Sequence, residues 1–152
     1  MSNEIYVISG PVQSGKTTKL MEWCSDKKNV FGIATPVVQG VRVFYDLHEK
    51  IIFPMEADAD DKDILQVGKF VFSKNAFLKA EKIITDGIDK SNFLVIDEIG
   101  PLELKGEGFN DVLKNILSNE NRNFKLVLVI RISHLNEVLN YFRIDNYHTL
   151  GI

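Results

Sequence analysis

The chain has 152 residues, of which 45% are hydrophobic and 26% are charged, and these are ordinary proportions for a soluble globular protein. We expect a single domain over residues 1–152, because most single domains contain about 100–150 residues. The net charge of −3, from 18 basic and 21 acidic side chains, argues against sequence-independent binding to nucleic acid, which requires a basic surface.

Three further features constrain the compartment and the partners. Cys24 is the single cysteine, which excludes an internal disulfide and a zinc site made of several cysteines. The N-terminal MSNEIYVIS lacks the basic and long apolar segments of a signal peptide. Apolar runs such as LVLVI (126–130) are too short to cross a bilayer. We therefore expect a cytoplasmic protein with no membrane partner, and the sequence makes no prediction about oligomeric state.

The first third of the chain predicts a strand, a helix and then three more strands. Residues 4–9 (EIYVIS) form a short β-branched run that ends at a glycine, which is typical of a buried strand. Residues 16–28 carry apolar side chains at helical spacing. Between residues 30 and 55, the runs VFGIAT, VRVFYDL and KIIFPM leave no room for helices, so we predict antiparallel strands there.

The rest of the chain predicts alternating strands and helices. The predicted strands are 69–73, 93–98, 124–130 and a last one near YHTLG, and the predicted helices are 74–90, 109–119 and 134–142, the last capped by Ser133. Strands without polar alternation are covered on both faces, and strands that alternate with helices pair in parallel. The sequence therefore predicts an α/β fold of three layers, with a mostly parallel sheet and an antiparallel insert at 30–55.

Residues 10–17, GPVQSGKT, match the pattern G-x-x-x-x-G-K-[ST] of phosphate-binding loops, the Walker A motif. Its glycines let backbone N–H groups approach phosphate oxygens, and the helix that follows adds its positive dipole end. Lys16 is expected to contact the β- and γ-phosphates, and the Thr17 hydroxyl is expected to bind Mg²⁺. The predicted nucleotide-binding residues are Gly10, Pro11, Val12, Gln13, Ser14, Gly15, Lys16, Thr17 and Thr18.

A second motif, FLVIDEIG, ends a predicted buried strand with two carboxylates. Asp97 is expected to act as a Walker B aspartate that holds the Mg²⁺ shell. Glu98 should point to the opposite side, since successive strand residues alternate, and it is positioned to orient or deprotonate an attacking water. The two motifs together predict an Mg²⁺-dependent nucleoside-triphosphatase that hydrolyses ATP, GTP or other nucleoside triphosphates to the diphosphate and phosphate.

Other nucleotide-binding classes share parts of this pattern. DEIG (97–100) also fits the D-x-x-G motif of GTPases, but the chain has no N-K-x-D guanine motif. The Walker A segment resembles that of zinc-containing thymidine kinases, whose cysteine-bound zinc cannot form from one cysteine. Two alternatives stay open: a nucleoside or nucleotide kinase-type phosphotransferase, and a nucleotide-binding regulatory module with little turnover.

The segments ISGPVQSGKTTKL, GIATPVV, VGKFVF and LVIDEIGPLEL occur in the order found in thermophilic-type, or cancer-related, nucleoside-triphosphatases. The chain resembles that family over about residues 8–131. The resemblance implies a RecA-like P-loop fold and Mg²⁺-dependent hydrolysis of several nucleoside triphosphates. It implies phosphate and metal binding for Lys16 and Thr17, metal binding for Asp97, and activation of water by Glu98.

The chain departs from the family pattern at two places. TPVVQ (35–39) lacks the acidic residue and the arginine that usually follow TP in the family, and Ile130-Arg131 keeps only the arginine of a common His-Arg pair. A cis arginine can offset charge in the transition state of phosphoryl transfer. We predict Arg131 for this role, because it ends a strand as Asp97 does.

Overall fold

The computed structural model describes residues 3–10 and 15–151. The predicted nucleotide-binding residues Pro11, Val12, Gln13 and Ser14 lie outside these ranges.

The strands are β1 (Ile5–Gly10), β2 (Val30–Ala34), β3 (Val37–Val38), β4 (Val41–Asp46), β5 (Ile51–Pro54), β6 (Ile64–Val67), β7 (Phe70–Ser73), β8 (Phe93–Ile99), β9 (Lys125–Arg131) and β10 (His148–Thr149). The helices are α1 (Lys16–Cys24), α2 (Lys74–Gly87), α3 (Pro101–Leu104), α4 (Asn110–Ser118) and α5 (Leu135–Tyr141), and a 3-10 helix spans Ile132–His134. Within these ranges no helix has the length and apolar character needed to cross a membrane.

The described strands form an eight-stranded sheet in the order β10-β1-β9-β8-β2-β4-β3, with β5 paired to β4. The strands from β10 to β2 pair in parallel, whereas β4 pairs antiparallel with β2, β3 and β5. Strands β6 and β7 form a separate antiparallel hairpin. The predicted α/β fold, a mostly parallel sheet with an antiparallel insert, is therefore confirmed.

Helices cover both faces of the parallel strands, which explains why these strands are apolar throughout. On one face, Leu20 and Cys24 of α1 belong to a buried cluster with Val95 and Val127. On the other face, buried side chains of α2, α4 and α5 form a larger cluster with the alternate residues of the same strands. Successive side chains of one strand thus enter two separate cores, and the fold has the three predicted layers.

The structure differs from the prediction at two points. Strand β2 pairs antiparallel with β4 but parallel with β8, so the first of the three strands predicted within 30–55 belongs to the parallel sheet. Its residues are almost all buried, which suits a central rather than an inserted strand. Ser133 does not cap the last helix, because it lies within the 3-10 helix and its hydroxyl contacts Nδ1 of His134 at 3.1 Å.

Three short elements escape the sequence prediction. Strands β3 and β6 and helix α3 contain two, four and four residues, and so short a segment carries no measurable hydrophobic period. Strand β6 follows directly after the acidic run EADADDKD (56–63). Helix α3 begins at Pro101, a residue that is favoured in a first helical turn.

Candidate active site

The carboxyl ends of four neighbouring parallel strands meet at one edge of the sheet. Gly10, the last residue of β1, pairs with Arg131, the last residue of β9, and β8 and β2 follow in the sheet. Ligand sites of open α/β sheets lie outside this edge. Helix α1 begins here at Lys16, directly after Gly15, whose φ of +80° is a left-handed conformation that glycine adopts without steric cost.

Asp97 is fully buried in β8 and joins three segments through one carboxylate oxygen. Its Oδ2 accepts a hydrogen bond from the Thr17 hydroxyl at 2.9 Å. It also accepts hydrogen bonds from the backbone N–H of Thr35 at 3.0 Å and from the Thr35 hydroxyl at 3.1 Å. These contacts bring the first turn of α1, the end of β8 and the residue after β2 to one point.

The other oxygen of Asp97, Oδ1, is buried and has no hydrogen-bond partner in the described part of the chain. The pKa of Asp97 is raised to about 6, chiefly by burial and then by the neighbouring charge of Glu98, and the hydrogen bonds from Thr35 and Thr17 partly oppose this rise. A buried polar atom without a partner is unfavourable unless a water or an ion contacts it. Oδ1 is therefore available as a ligand.

The oxygen donors at this point fit a hard divalent cation such as Mg²⁺. These donors are the carboxylate of Asp97 and the hydroxyl of Thr17. In proteins, Mg²⁺ is usually bound by one or two protein oxygens together with waters and phosphates. Among residues 3–10 and 15–151, no group of three or more His, Cys, Asp or Glu side chains could hold a metal ion alone. A cation bound here would therefore need further ligands from water or from a phosphate group.

Glu98 lies next to Asp97, at an irregularity of strand β8. Between Ile96 and Ile99 the pairing of β8 with β9 shifts by one residue, and Glu98 has a φ of +63°. A non-glycine residue in this conformation costs roughly 1–2 kcal/mol, and bulges beside binding sites commonly redirect a side chain. Simple strand alternation, the basis of the sequence prediction, therefore does not describe how Glu98 is oriented.

A cavity of about 290 Å³ opens at the start of α1 and the ends of β8 and β9. It brings together six of the residues predicted from the motifs: Gly15, Lys16, Thr17, Thr18, Glu98 and Arg131. Asp97 does not line the cavity itself but reaches it through its hydrogen bond to Thr17. With Arg42 the cavity combines a helix start, three cations and a carboxylate, which is a suitable environment for a polyphosphate with a bound metal.

Two arginines contribute to this cavity, and only one of them was predicted. Arg131 is half-buried, and no hydrogen bond or ion pair joins its side chain to another described residue. Arg42, on β4, donates to the backbone oxygen of Thr35 at 2.8 Å and lies 3.5 Å from Oε1 of Glu98. Arg42 thus restrains Glu98, whereas Arg131 keeps its donors available for a ligand.

Glu103 is a buried carboxylate that holds the segment after β8 in place. Its Oε1 accepts a hydrogen bond from the backbone N–H of Gly100 at 2.8 Å, and its Oε2 accepts one from Phe109 at 3.0 Å. Burial raises its pKa to about 7 despite these bonds. Gly108 has a φ of +60°, and a Cβ atom there would collide with Oε2 of Glu103. The carboxylate and the glycine together fix the loop between α3 and α4.

Sequence reasoning did not assign Thr35, Arg42 or Glu103 to the site. Thr35 and Glu103 lie in segments that carry the family resemblance, TPVV and DEIGPLEL, and that signal could have indicated them. Arg42 has no comparable signal, because only the antiparallel pairing of β4 with β2 and β3 brings it to the site.

Comparison with known proteins supports the same assignment. A family model described as NTPase matches residues 5–150. The chain belongs to the NTPase family. Nucleoside-triphosphatase THEP1 of Archaeoglobus fulgidus is 26% identical to it over 150 residues, covering 90% of this chain and 85% of that protein. The predicted family resemblance and the predicted class of enzyme, a nucleoside-triphosphatase, are thereby confirmed.

Two solved structures of NTPase-family proteins share the fold. The crystal structure of THEP1 from the hyperthermophile Aquifex aeolicus superposes with a TM-score of 0.69 at 21% identity, covering 97% of this chain and 88% of that one. The solution structure of a human cancer-related nucleoside triphosphatase gives 0.68 at 21% identity, covering 98% and 88%. In this NTPase-family chain, TPVVQ lacks the arginine expected after TP, and Arg42 from β4 contacts Thr35.

Proposed function

We propose that this protein is an Mg²⁺-dependent nucleoside-triphosphatase that hydrolyses ATP, GTP or related nucleotides to the diphosphate and phosphate. The observation that carries the proposal is the 2.9 Å hydrogen bond between Thr17, in the Walker A segment, and Asp97, in the Walker B strand. The bond brings the two motifs to one cavity, which also contains Lys16 and Glu98. We propose that residues 1–152 act as one domain and that the reaction takes place in the cytoplasm, where these nucleotides are abundant.

The proposed roles follow from the position of each side chain. The Walker A backbone, Gly10 to Thr18, and the start of α1 bind the phosphates, and Lys16 neutralises charge on the terminal ones. Thr17 and Asp97 hold Mg²⁺, which when bound neutralises phosphate charge and favours attack on the terminal phosphorus.

Glu98 is proposed to orient the attacking water and to accept its proton. The carboxylate is held beside the cavity by the strained turn of β8 and by Arg42, so its orientation is set before the nucleotide arrives. Such preorganisation lowers the barrier because no reorganisation is needed during the reaction.

Arg131 is proposed as the arginine that stabilises charge on the terminal phosphate. It lines the cavity, lies opposite Gly10 in the pairing of β1 and β9, and is bound to no other described side chain. Related enzymes turn over at on the order of 10⁻⁴ per second without such an arginine and at about 10⁻² per second with one in cis. We therefore expect a turnover rate near the higher value.

The proposal is tested by measuring phosphate release from ATP, GTP, CTP and UTP, with Mg²⁺ and with EDTA. We expect release only with Mg²⁺, and a decrease of about 10²-fold or more in Lys16→Ala and in Glu98→Gln. Lys19→Ala, an exposed position on the same helix, and Glu49→Gln, an exposed carboxylate away from the cavity, are the matched controls. Equal release by the wild type and by Lys16→Ala and Glu98→Gln would refute the proposal.

A further inference from the structure

A second cavity, of about 320 Å³, adjoins the nucleotide cavity. The two cavities share four lining residues: Thr35, Arg42, Glu98 and Arg131. A volume of this size is at the lower end of the range for small-molecule sites. Whatever occupies the second cavity therefore lies next to the same carboxylate that is proposed to activate water.

Five aromatic rings contribute to the lining of the second cavity. The five rings are Phe44, Phe70, Phe72, Phe77 and Phe109. The ring centroid of Phe77 lies 5.0 Å from that of Phe44 and 5.2 Å from that of Phe109. Protein interiors are normally close-packed. The packing of these rings against each other does not require an open space beside them, so we interpret the space as a site for an apolar ligand.

The walls of the cavity are largely preformed. The hairpin of β6 and β7 contributes Phe70 and Phe72 and is attached to the main body at two points. Phe72 forms a backbone bridge with Glu56, and Lys105 of the segment after α3 donates to the backbone oxygen of Gln66 at 3.0 Å. Phe70 is 50% exposed, so its ring stands where a ligand would enter.

The charged groups that line this cavity disfavour an anionic ligand. There are four carboxylate residues, Glu56, Asp97, Glu98 and Glu103, and two arginines, Arg42 and Arg131. Arg42 already lies 3.5 Å from Glu98, so one of the two cations is partly neutralised. A neutral ligand with an aromatic body and one hydroxyl group matches this distribution, because the ring can pack on the phenylalanines and the hydroxyl can face Glu98.

We propose that the second cavity binds a small neutral alcohol with an aromatic body, and that this alcohol accepts the terminal phosphoryl group of the bound nucleotide. The proposal rests on the proposed nucleotide site. In the transfer, the alcohol oxygen bonds to the terminal phosphorus, and the bond from that phosphorus to its bridging oxygen breaks. The nucleoside diphosphate leaves with the electron pair of that bond, and the hydroxyl proton passes to Glu98. Water and the alcohol thus compete for one carboxylate.

The test uses 2-phenylethanol as the probe alcohol and phenyl phosphate as its anionic counterpart. Saturation-transfer NMR measures binding of each probe to the full chain without nucleotide. Mass spectrometry then counts phosphorylated alcohol and inorganic phosphate after incubation with Mg²⁺ and ATP or GTP. The variant is Phe70→Ala, at a half-exposed ring whose loss should be tolerated, and the control is Ile64→Ala, an exposed apolar residue of the same hairpin outside the cavity lining.

We expect 2-phenylethanol to bind more tightly than phenyl phosphate and to be phosphorylated. The ratio of phosphorylated alcohol to inorganic phosphate should fall about tenfold in Phe70→Ala, because truncation of an aromatic anchor commonly weakens binding by at least this factor. The ratio should be unchanged in Ile64→Ala. Binding without phosphorylation would overturn the acceptor role, and an unchanged ratio in Phe70→Ala would overturn the location. Phosphate release without alcohol is measured separately, so that failure of the acceptor proposal is distinguished from failure of hydrolysis.

Discussion

The hydroxyl of Thr17 donates a 2.9 Å hydrogen bond to Oδ2 of Asp97, although the two residues are 80 positions apart in the chain. Thr35 donates to the same oxygen from its backbone N–H and from its hydroxyl. One carboxylate oxygen therefore orders three segments, and the other oxygen has no partner among the described residues. This arrangement relates the stability of the protein to its proposed chemistry.

Asp97→Asn should stabilise the metal-free protein at neutral pH while it removes activity. The folded state raises the pKa of Asp97 to about 6, against about 3.9 in an unfolded chain. Ionisation therefore opposes folding, and stability is lost as the pH rises from about 4 to about 6. The gain in Asp97→Asn should be at most roughly 3 kcal/mol at pH 8 and should disappear near pH 4. Urea unfolding in EDTA at both pH values measures it, and a gain that is the same at both would contradict the assignment.

Glu98→Gly should separate stability from activity. Glu98 has a φ of +63°, and glycine adopts this conformation without the penalty of a Cβ atom. We expect the variant to be more stable than Glu98→Gln by about 1 kcal/mol, and both variants to lack phosphate release. Thermal unfolding and a phosphate assay on the pair measure the two effects, and a Glu98→Gly protein that is less stable than Glu98→Gln would show that the strain is absent.

Glu103→Gln should flatten the dependence of stability on pH between 6 and 7. The folded state raises the pKa of Glu103 to about 7, so in the wild type the unfavourable ionisation continues to reduce stability up to that pH. Between about pH 4.5 and 7 the loss should reach about 3 kcal/mol. In the variant this loss is absent, and at low pH the variant should be the less stable protein because its amide N–H₂ faces a backbone donor.

Gly108→Ala should destabilise the protein far more than Gly106→Ala. Both glycines have a positive φ, but a Cβ atom at Gly106 meets nothing within 4 Å, whereas one at Gly108 collides with the carboxylate of Glu103. We expect about 1 kcal/mol for Gly106→Ala from the backbone conformation alone, and an additional loss of about 1–3 kcal/mol for Gly108→Ala from overpacking. Equal losses in urea unfolding would show that Glu103 does not occupy this position.

Arg131→Ala and Arg42→Ala should affect activity in different ways. The side chain of Arg131 lines the nucleotide cavity and has no hydrogen-bond or ion-pair partner among the described residues, so its removal should leave stability unchanged and lower kcat by about 10³-fold if it contacts the terminal phosphate. Arg42 is bonded to Thr35 and lies 3.5 Å from Oε1 of Glu98, so its removal should cost about 1 kcal/mol of stability and lower kcat by releasing Glu98 from its position. An Arg131→Ala variant with normal kcat would exclude the arginine from the reaction.

The sequence alone was sufficient to predict the fold, and the structure brings six of the predicted site residues to one cavity. The Walker A and Walker B motifs are local patterns with fixed spacing, so they indicate phosphate and metal chemistry without coordinates. The apolar strands and amphipathic helices likewise predict three layers, because a continuous apolar run has to be covered on both faces. The first strand of the 30–55 segment could not be assigned correctly, since its parallel partner β8 lies about 60 residues later in the chain.

Only the tertiary structure decided which side chains surround the motifs. Three features of the site join residues that are distant in sequence. They are the contact of Arg42 with Glu98, the three hydrogen bonds on Asp97 and the aromatic cavity beside Glu98. The left-handed conformation of Glu98 also arises from strand pairing rather than from local preference. A motif indicates the chemistry that its own segment can perform. Burial, backbone strain and neighbouring charges depend on how distant segments pack, and a local sequence pattern does not specify that packing.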